Sequence, residues 1–192
     1  MAQTPAPAHD VPSTAIFATD RCYLRPLEPS DAQTLATAAN DPEIAKYMRS
    51  RFPSPYTLAD GEAWIARCQA LSPPVMHFGI FTLDGEFAGS LGLEAPQGDS
   101  VYRGTREIGY YSVRRFWGRG ILTSAVTKFV RWAFDQLHDL LRIEAHVFQG
   151  NLGSARVLVK AGFVEEGTRK CAAVKNGEVL DESFFGFTRQ SL

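Results

Sequence analysis

The pair Gly118 and Gly120, set between an extended aromatic run and a long apolar-periodic one, limits what this chain can fold into more than any other feature. From Tyr110 to Thr123 the chain reads Tyr-Tyr-Ser-Val-Arg-Arg-Phe-Trp-Gly-Arg-Gly-Ile-Leu-Thr. An extended segment must turn here through two residues without a Cβ, which admit left-handed backbone angles and let another molecule approach the main chain. Behind the turn, Leu122, Val126, Phe129, Val130, Ala133 and Leu137 recur at helical spacing, which predicts a helix from residue 121 to about 137. The first amides of such a helix lack internal partners and carry roughly half a positive charge, so the corner is a ready anion site. Arg115 and Arg119 add full charges beside it, and a pyrophosphate fits.

Two common phosphate motifs are excluded. A Walker loop needs G-x-x-x-x-G-K-[ST], and the sequence holds no such run. A dinucleotide fingerprint needs Gly or Ala where Thr123 stands, and an early βαβ unit, whereas this turn lies past the midpoint of the chain. What remains is Arg115-x-x-Gly118-x-Gly120, followed about thirty residues later by Asn151-Leu152-Gly153-Ser154 and, further on, Lys160-Ala161-Gly162-Phe163. The first block resembles the [Q/R]-x-x-G-x-[G/A] loop of the GCN5-related N-acetyltransferases, the GNAT superfamily. The second resembles that superfamily's N-x-x-S-x-x-x-x-x-K-x-G-F signature. Glu107-Ile108-Gly109-Tyr110-Tyr111 and Phe116-Trp117-Gly118-Arg119-Gly120 are similar to the RimJ/RimL branch. Two departures stand out: Arg114 where this branch commonly has proline, and Ser124 where it commonly has an acidic residue.

Composition narrows the rest. The 192 residues, 45% hydrophobic and 21% charged, are in the range of one ordinary domain with a real core. A net charge of −1 gives no general attraction for nucleic acid or an anionic membrane. No apolar run approaches the roughly 20 residues of a spanning helix, and the N-terminus lacks a signal-peptide layout. Cys22, Cys68 and Cys171, odd in number and scattered, fit reduced thiols better than disulfides or a metal site. These features lead to an expectation of a cytoplasmic protein without a metal.

Residues 1–14, rich in Ala and Pro, read as a disordered tail, and 15–192 as a single domain. A first strand covers 22–27. Ser30-Asp31 caps a helix to residue 39, and Asp41-Pro42-Glu43 opens a short second one. Thr57 and Asp60 resemble a capping box that starts a helix to about residue 71. Strands at 76–83 and 86–93 flank Asp84-Gly85, and residues 95–104 form a polar loop. Residues 105–113 and 141–148 are central strands. A short helix spans 154–160, and a last hairpin turns at Asn176-Gly177.

The resemblance implies a GNAT fold, α/β in content (α+β): a mixed, mostly antiparallel sheet of six to seven strands with about four helices, its central strands splayed to admit acyl-CoA. It puts the amides from Gly118 to about Leu122 on the pyrophosphate, with Gly120, Ile121 and Thr123 in the cofactor-binding set, and the main chain of Ser112 and Val113 along the pantetheine arm, with an N–H near Val113 polarising the thioester. Lys160 joins the cofactor-binding set. Arg115 and Arg119 either assist or form a solvated patch. Asn151 either caps its helix or also bonds the pantetheine. Ser154 is a cap or the hydroxyl that returns a proton to the leaving thiolate.

Only a neutral amine attacks a thioester, and an α-amino group with a pKa of about 7.7 to 8.0 needs less help than lysine near 10.4. Related enzymes use a carboxylate at the position of Glu107 as base; Asp181 and Glu182 are the alternatives. His77, His138 and His146 are assigned to packing or surface roles, and direct transfer is preferred to a cysteine route. The expected activity is acetyl-CoA-dependent N-acetylation of a protein N-terminus or a small amine by a monomer or homodimer. A catalytically silent acyl-CoA-binding module is the competing reading.

Overall fold

Two tight turns set the hairpins of the sheet. Gly85 (φ +85°) joins β3 (His77–Thr82) to β4 (Phe87–Glu94), and Asn176 (φ +53°) with Gly177 (φ +83°) joins β7 (Val164–Lys175) to β8 (Glu178–Thr188). Positive φ at both central residues is what an Asn-Gly turn supplies to match the strand twist. The computed structural model describes residues 11–70, 74–95 and 99–192. Most of the segment expected to be an unstructured tail lies outside the described residues. Val11, within them, packs against the cluster around Tyr23 and Leu27.

The remaining strands are β1 (Phe17–Ala18), β2 (Cys22–Arg25), β5 (Thr105–Ser112) and β6 (Arg142–Phe148). They form one eight-stranded sheet in the order β1-β2-β3-β4-β5-β6-β8-β7. The count exceeds the expected six or seven by the two-residue β1, which has no periodicity to betray it. Every neighbouring pair is antiparallel except β5 and β6.

That parallel pair controls the site. It registers only Thr105 with Arg142, Arg106 with Ile143, and Glu107 with Glu144. Beyond Glu107 the strands part, as the resemblance implied, although β5 stays paired with β4 through Ser112.

The helices are α1 (Ala32–Ala39), α2 (Pro42–Ala45), α3 (Leu58–Ala70), α4 (Ile121–Gln136) and α5 (Leu152–Ala161). The expected α3 end at residue 71 lies outside the described residues. Its start is a reciprocal cap: Thr57 N–H donates to Asp60 Oδ2 at 2.8 Å, and Asp60 N–H to Thr57 Oγ1 at 3.3 Å. The loop 95–104, of which 96–98 are outside the described residues, contains a short 3-10 turn at Ser100–Tyr102. Among the described residues no helix is long and apolar enough to cross a membrane.

α4 packs Val126, Phe129, Val130 and Ala133 on one sheet face against Phe78, Ile80, Ile143 and Phe185. Leu35 of α1 and Ile65 of α3 cover the other face with Tyr23, Leu27, Phe81 and Phe87. Coverage on both sides explains why β3 is buried along its whole length instead of alternating. Arg189 fastens the far end of α4, its guanidinium donating to Phe134 O, Leu137 O and Leu140 O at 3.0, 2.9 and 2.9 Å. A cation there suits the negative end of the helix dipole.

Candidate active site

β5 leads into the turn through Val113, whose N–H donates to Ala88 O and whose carbonyl accepts from Phe116 N–H, both at 2.9 Å. A 3-10 turn, Arg114–Phe116, follows, and the Trp117 indole N–H donates to Ser112 O at 2.7 Å. Gly118 and Gly120 then take φ of +74° and +75°. Both are left-handed, the state for which glycine is the default residue. Gly120 is the N-cap of α4 and offers no side chain to its first amides, so Ile121, Leu122 and Thr123 keep their N–H groups outside the helix's own ladder. A Cβ on Gly118 would meet nothing within 4 Å, so its main chain faces open space.

The structure corrects the part expected of Val113. Both of its main-chain groups are used within the fold, so its amide is not free to polarise a thioester. Antiparallel alternation supplies substitutes. Since Val113 bonds across to β4, Tyr110 and Ser112 turn their amides the other way, into the gap where β6 has left. Of Ser112 only the amide is available, because its hydroxyl donates to Ala88 O at 3.2 Å and its carbonyl takes Trp117.

The basic residues divide in two. Arg115 lies over the Phe116 ring and reaches Glu86 at 3.5 Å, Arg119 also lies over Phe116, and neither lines the cavity. Arg114 grips the Asp41 carboxylate at 2.9 and 2.5 Å, which ties the turn to α2 and holds the Asp41 carboxyl below its usual range. Lys160, by contrast, lines the cavity one helical turn from Arg156, a residue that the sequence reading passed over.

On α5, Asn151 plays its plain part: its Oδ1 accepts from Ser154 N–H at 3.1 Å. Ser154 Oγ lies 2.9 Å from the Tyr110 hydroxyl, and burial raises the Tyr110 phenol well above its ordinary value. The two hydroxyls form one unit, invisible in sequence because 44 residues separate them.

Glu107 stands at the last registered β5–β6 pair, where the gap begins. Both of its oxygens are taken by Arg49, Oε1 at 2.6 Å and Oε2 at 3.1 Å. The same guanidinium reaches His146 Nδ1 at 2.9 Å, so that nitrogen accepts and the ring proton sits on Nε2, a buried atom without a partner. His146 therefore belongs to the site and not merely to packing. Glu182 lies 3.8 Å from His146 Nδ1, behind it. Asp181 pairs with Lys170 at 2.8 Å away from the cavity, and that ammonium keeps its carboxyl low. His77 is buried in the cavity wall edge-on to Trp64, and desolvation lowers its pKa.

A continuous cavity of about 760 Å³ joins these parts, from Gly118, Gly120 and Thr123 past Tyr110 and Ser154 to Arg49, Arg51 and Arg67. No cysteine lines it; Cys22 and Cys68 are buried, and desolvation pushes the Cys68 thiol up to about 11. Such a space accepts a long ligand carrying an anion at the helix corner and an extended arm between the strands. It leaves room beyond for a second molecule at the arginine-lined end.

Known proteins resemble this chain in sequence and fold. The Bacillus subtilis protein YjcK, described as a probable N-acetyltransferase, is 36% identical over 163 residues, covering 81% of this chain and 87% of that one. RimJ of Mycobacterium smegmatis, solved in complex with CoA-disulfide, matches with a TM-score of 0.76 at 25% identity, over 89% of this chain and 83% of that one. RimL, a ribosomal L7/L12 alpha-N-protein acetyltransferase solved in complex with coenzyme A, shares the fold at a TM-score of 0.76 and 19% identity, over 93% and 99% of the two chains. Residues 21–164 match the family described as Acetyltransferase (GNAT) domain. Since that match runs from β2 through α5 and takes in the whole split between β5 and β6, the chain belongs to the GNAT family of N-acetyltransferases.

Proposed function

We propose that the protein moves an acetyl group from acetyl-CoA to a primary amine by direct attack within a ternary complex. The observation that carries this reading is a shared space. The bare corner at the head of α4, the gap beside β5, and the Glu107–Arg49 pair all open into one cavity. The diphosphate lies on the amides of Gly118 and of Gly120 to Thr123, the Arg119 amide being held by Phe116 O, with Arg156 and Lys160 at its flank. The pantetheine follows β5, where the amides of Tyr110 and Ser112 replace Val113 as donors to the arm and to the thioester carbonyl.

The neutral amine attacks the carbonyl carbon, and the C–N bond forms as charge moves onto oxygen. Collapse breaks the C–S bond, and Ser154, bonded to Tyr110, returns a proton to the thiolate. Glu107 takes the proton lost by nitrogen, Arg49 releasing one carboxylate oxygen to accept it, and the nitrogen ends as the neutral amide. With no cysteine in the cavity wall, the acetyl group has no protein thiol to visit. The acceptor is a protein N-terminus or a small amine. Residues 15–192 act as one domain, monomer or homodimer, in the cytoplasm, where thiols such as the free Cys22, Cys68 and Cys171 stay reduced.

Calorimetry with CoA, and thiol release from acetyl-CoA over a panel of primary amines, test this reading. Uptake of CoA and turnover of at least one amine are expected. Absence of uptake removes it. Uptake without turnover of any amine points instead to a silent acyl-CoA-binding module.

A further inference from the structure

The outer end of the cavity holds a charge arrangement that the acetyl-transfer step does not use. Glu94 and Glu107 are registered directly opposite each other on β4 and β5. Like charges so placed repel, and a fold keeps them only with counter-ions. Arg49 meets Glu107 with two contacts, and one arginine would serve Glu94 equally well. Two reach it: Arg51 Nη1 at 2.8 Å to Oε2, and Arg67 Nη2 at 3.5 Å to Oε1. Three guanidinium groups therefore face two carboxylates, and His77 beside them is kept neutral by burial. Within this cluster the guanidinium groups outnumber the carboxylates by one, while Glu43 also lines the cavity.

That excess is accessible. The side chains of Arg51 and Arg67 are each 51% exposed, against 21% for the Glu94 between them, and all three line the cavity. Each guanidinium has five N–H donors, and one contact to Glu94 leaves the rest for a ligand. Arg67 sits over the Trp64 ring, 5.4 Å from its centroid. Phe52, Tyr56 and Tyr111 also line this space, and the Tyr111 hydroxyl is buried without a partner.

Taking the N-acetyltransferase reading as given, we propose that the acceptor amine carries a carboxylate, bound in the fork between Arg51 and Arg67 while the amine faces Glu107. The planar fork suits a carboxylate with two oxygens. Glu94 and Glu107 occupy adjacent strands, so amine and carboxylate lie within about two strand spacings, ~10 Å. A short amino acid meets this, and so does an N-terminal residue followed by an acidic side chain.

The test compares matched amines on the full chain. The probes are 4-aminobutyrate against 4-aminobutanamide, the dipeptide amides Ala-Asp against Ala-Asn, and O-phosphoethanolamine. In at least one pair the carboxylate is expected to have a kcat/KM about tenfold above its neutral partner, the scale of one charge-assisted hydrogen bond. The pair that shows it tells whether the source is a small molecule or a peptide. The preference should shrink with added salt, and in Arg51→Gln and Arg67→Gln it should fall to about twofold or less. Arg51→Lys, which keeps charge but loses the fork, guards against a folding defect and should retain part of it. Equal turnover of charged and neutral partners by the wild-type protein would overturn the inference while leaving the acetyltransferase reading intact. Preference for O-phosphoethanolamine would overturn the carboxylate in favour of a phosphate. Failure to acetylate any probe would overturn the inference, while the acetyltransferase reading is decided separately by CoA uptake and turnover over the wider amine panel.

Discussion

Replacing Gly118 by alanine separates two roles that glycine plays, because the structure contains its own control. Gly118 (φ +74°) and Gly177 (φ +83°) have nearly the same backbone conformation, and a Cβ at either would meet nothing within 4 Å. Gly177 lies in the β7–β8 turn, Gly118 at the head of α4. Forcing alanine into the left-handed region costs about 1–2 kcal/mol. The stiffer unfolded chain returns about 0.4–1 kcal/mol. Each variant should therefore lose on the order of 1 kcal/mol of stability, a fall in Tm of about 2–4 °C for a chain of this size. Steric access differs. At Gly118 the new methyl stands where the diphosphate approaches, and losing one amide–phosphate bond costs about 1.5–3 kcal/mol. That corresponds to a rise of about ten- to a hundredfold in Kd for CoA. Thermal unfolding and calorimetry on the two variants measure both quantities. Similar Tm shifts with weakened CoA binding only in Gly118→Ala are expected. Wild-type affinity in Gly118→Ala would refute the reasoning, because the backbone corner would then not be where the diphosphate rests.

Further predictions concern the proton path and the fold. Glu107→Gln should lower kcat most at low pH, where neutral amine is scarce and a base matters most; an unchanged pH–rate profile would remove Glu107 from that role. Burial raises the phenols of Tyr110 and Tyr111 and pushes Tyr56 up to about 12, whereas unfolded tyrosine ionises near 10. Folded pKa values above the unfolded one mean that their stabilisation is complete below about pH 10 and lost as pH rises beyond it. Alkaline unfolding should thus accompany tyrosinate absorbance, and Tyr111→Phe should move its midpoint upward; a midpoint that stays put would show that Tyr111 is not a driver. Arg189→Met keeps the stem but removes donors to four carbonyls, and should cost about 1–3 kcal/mol in denaturant unfolding. No change there would mean that water serves those carbonyls equally well.

What the sequence disclosed was local. The positive φ of Gly118 and Gly120, both hairpin turns, the Thr57–Asp60 cap and the Asn151 cap are each decided by residues within a few positions, and all were legible. What it concealed depended on register. That Val113 spends its amide on Ala88 while Tyr110 and Ser112 turn theirs to the gap follows from which β4 residue lies opposite, and nothing in the composition of β5 reveals it. The Tyr110–Ser154 pair, the grip of Arg49 on Glu107 and the convergence of Arg51 and Arg67 on Glu94 join residues 27 or more positions apart. The choice left open for Arg115 and Arg119, assisting the anion site or forming a solvated patch, also turned on tertiary placement. Adjacent in sequence to the glycines, they fold back over Phe116.

Sheets are normally vulnerable at their rims, where a bare strand can recruit a foreign one, and proteins hide or blunt such borders. By releasing β6 after three pairs, this fold creates a border inside the sheet itself, opening into the cavity. A guest of the right width can complete the ladder there without opening the way to aggregation. The amides of Tyr110 and Ser112 would then exchange with deuterium more slowly once that guest is seated.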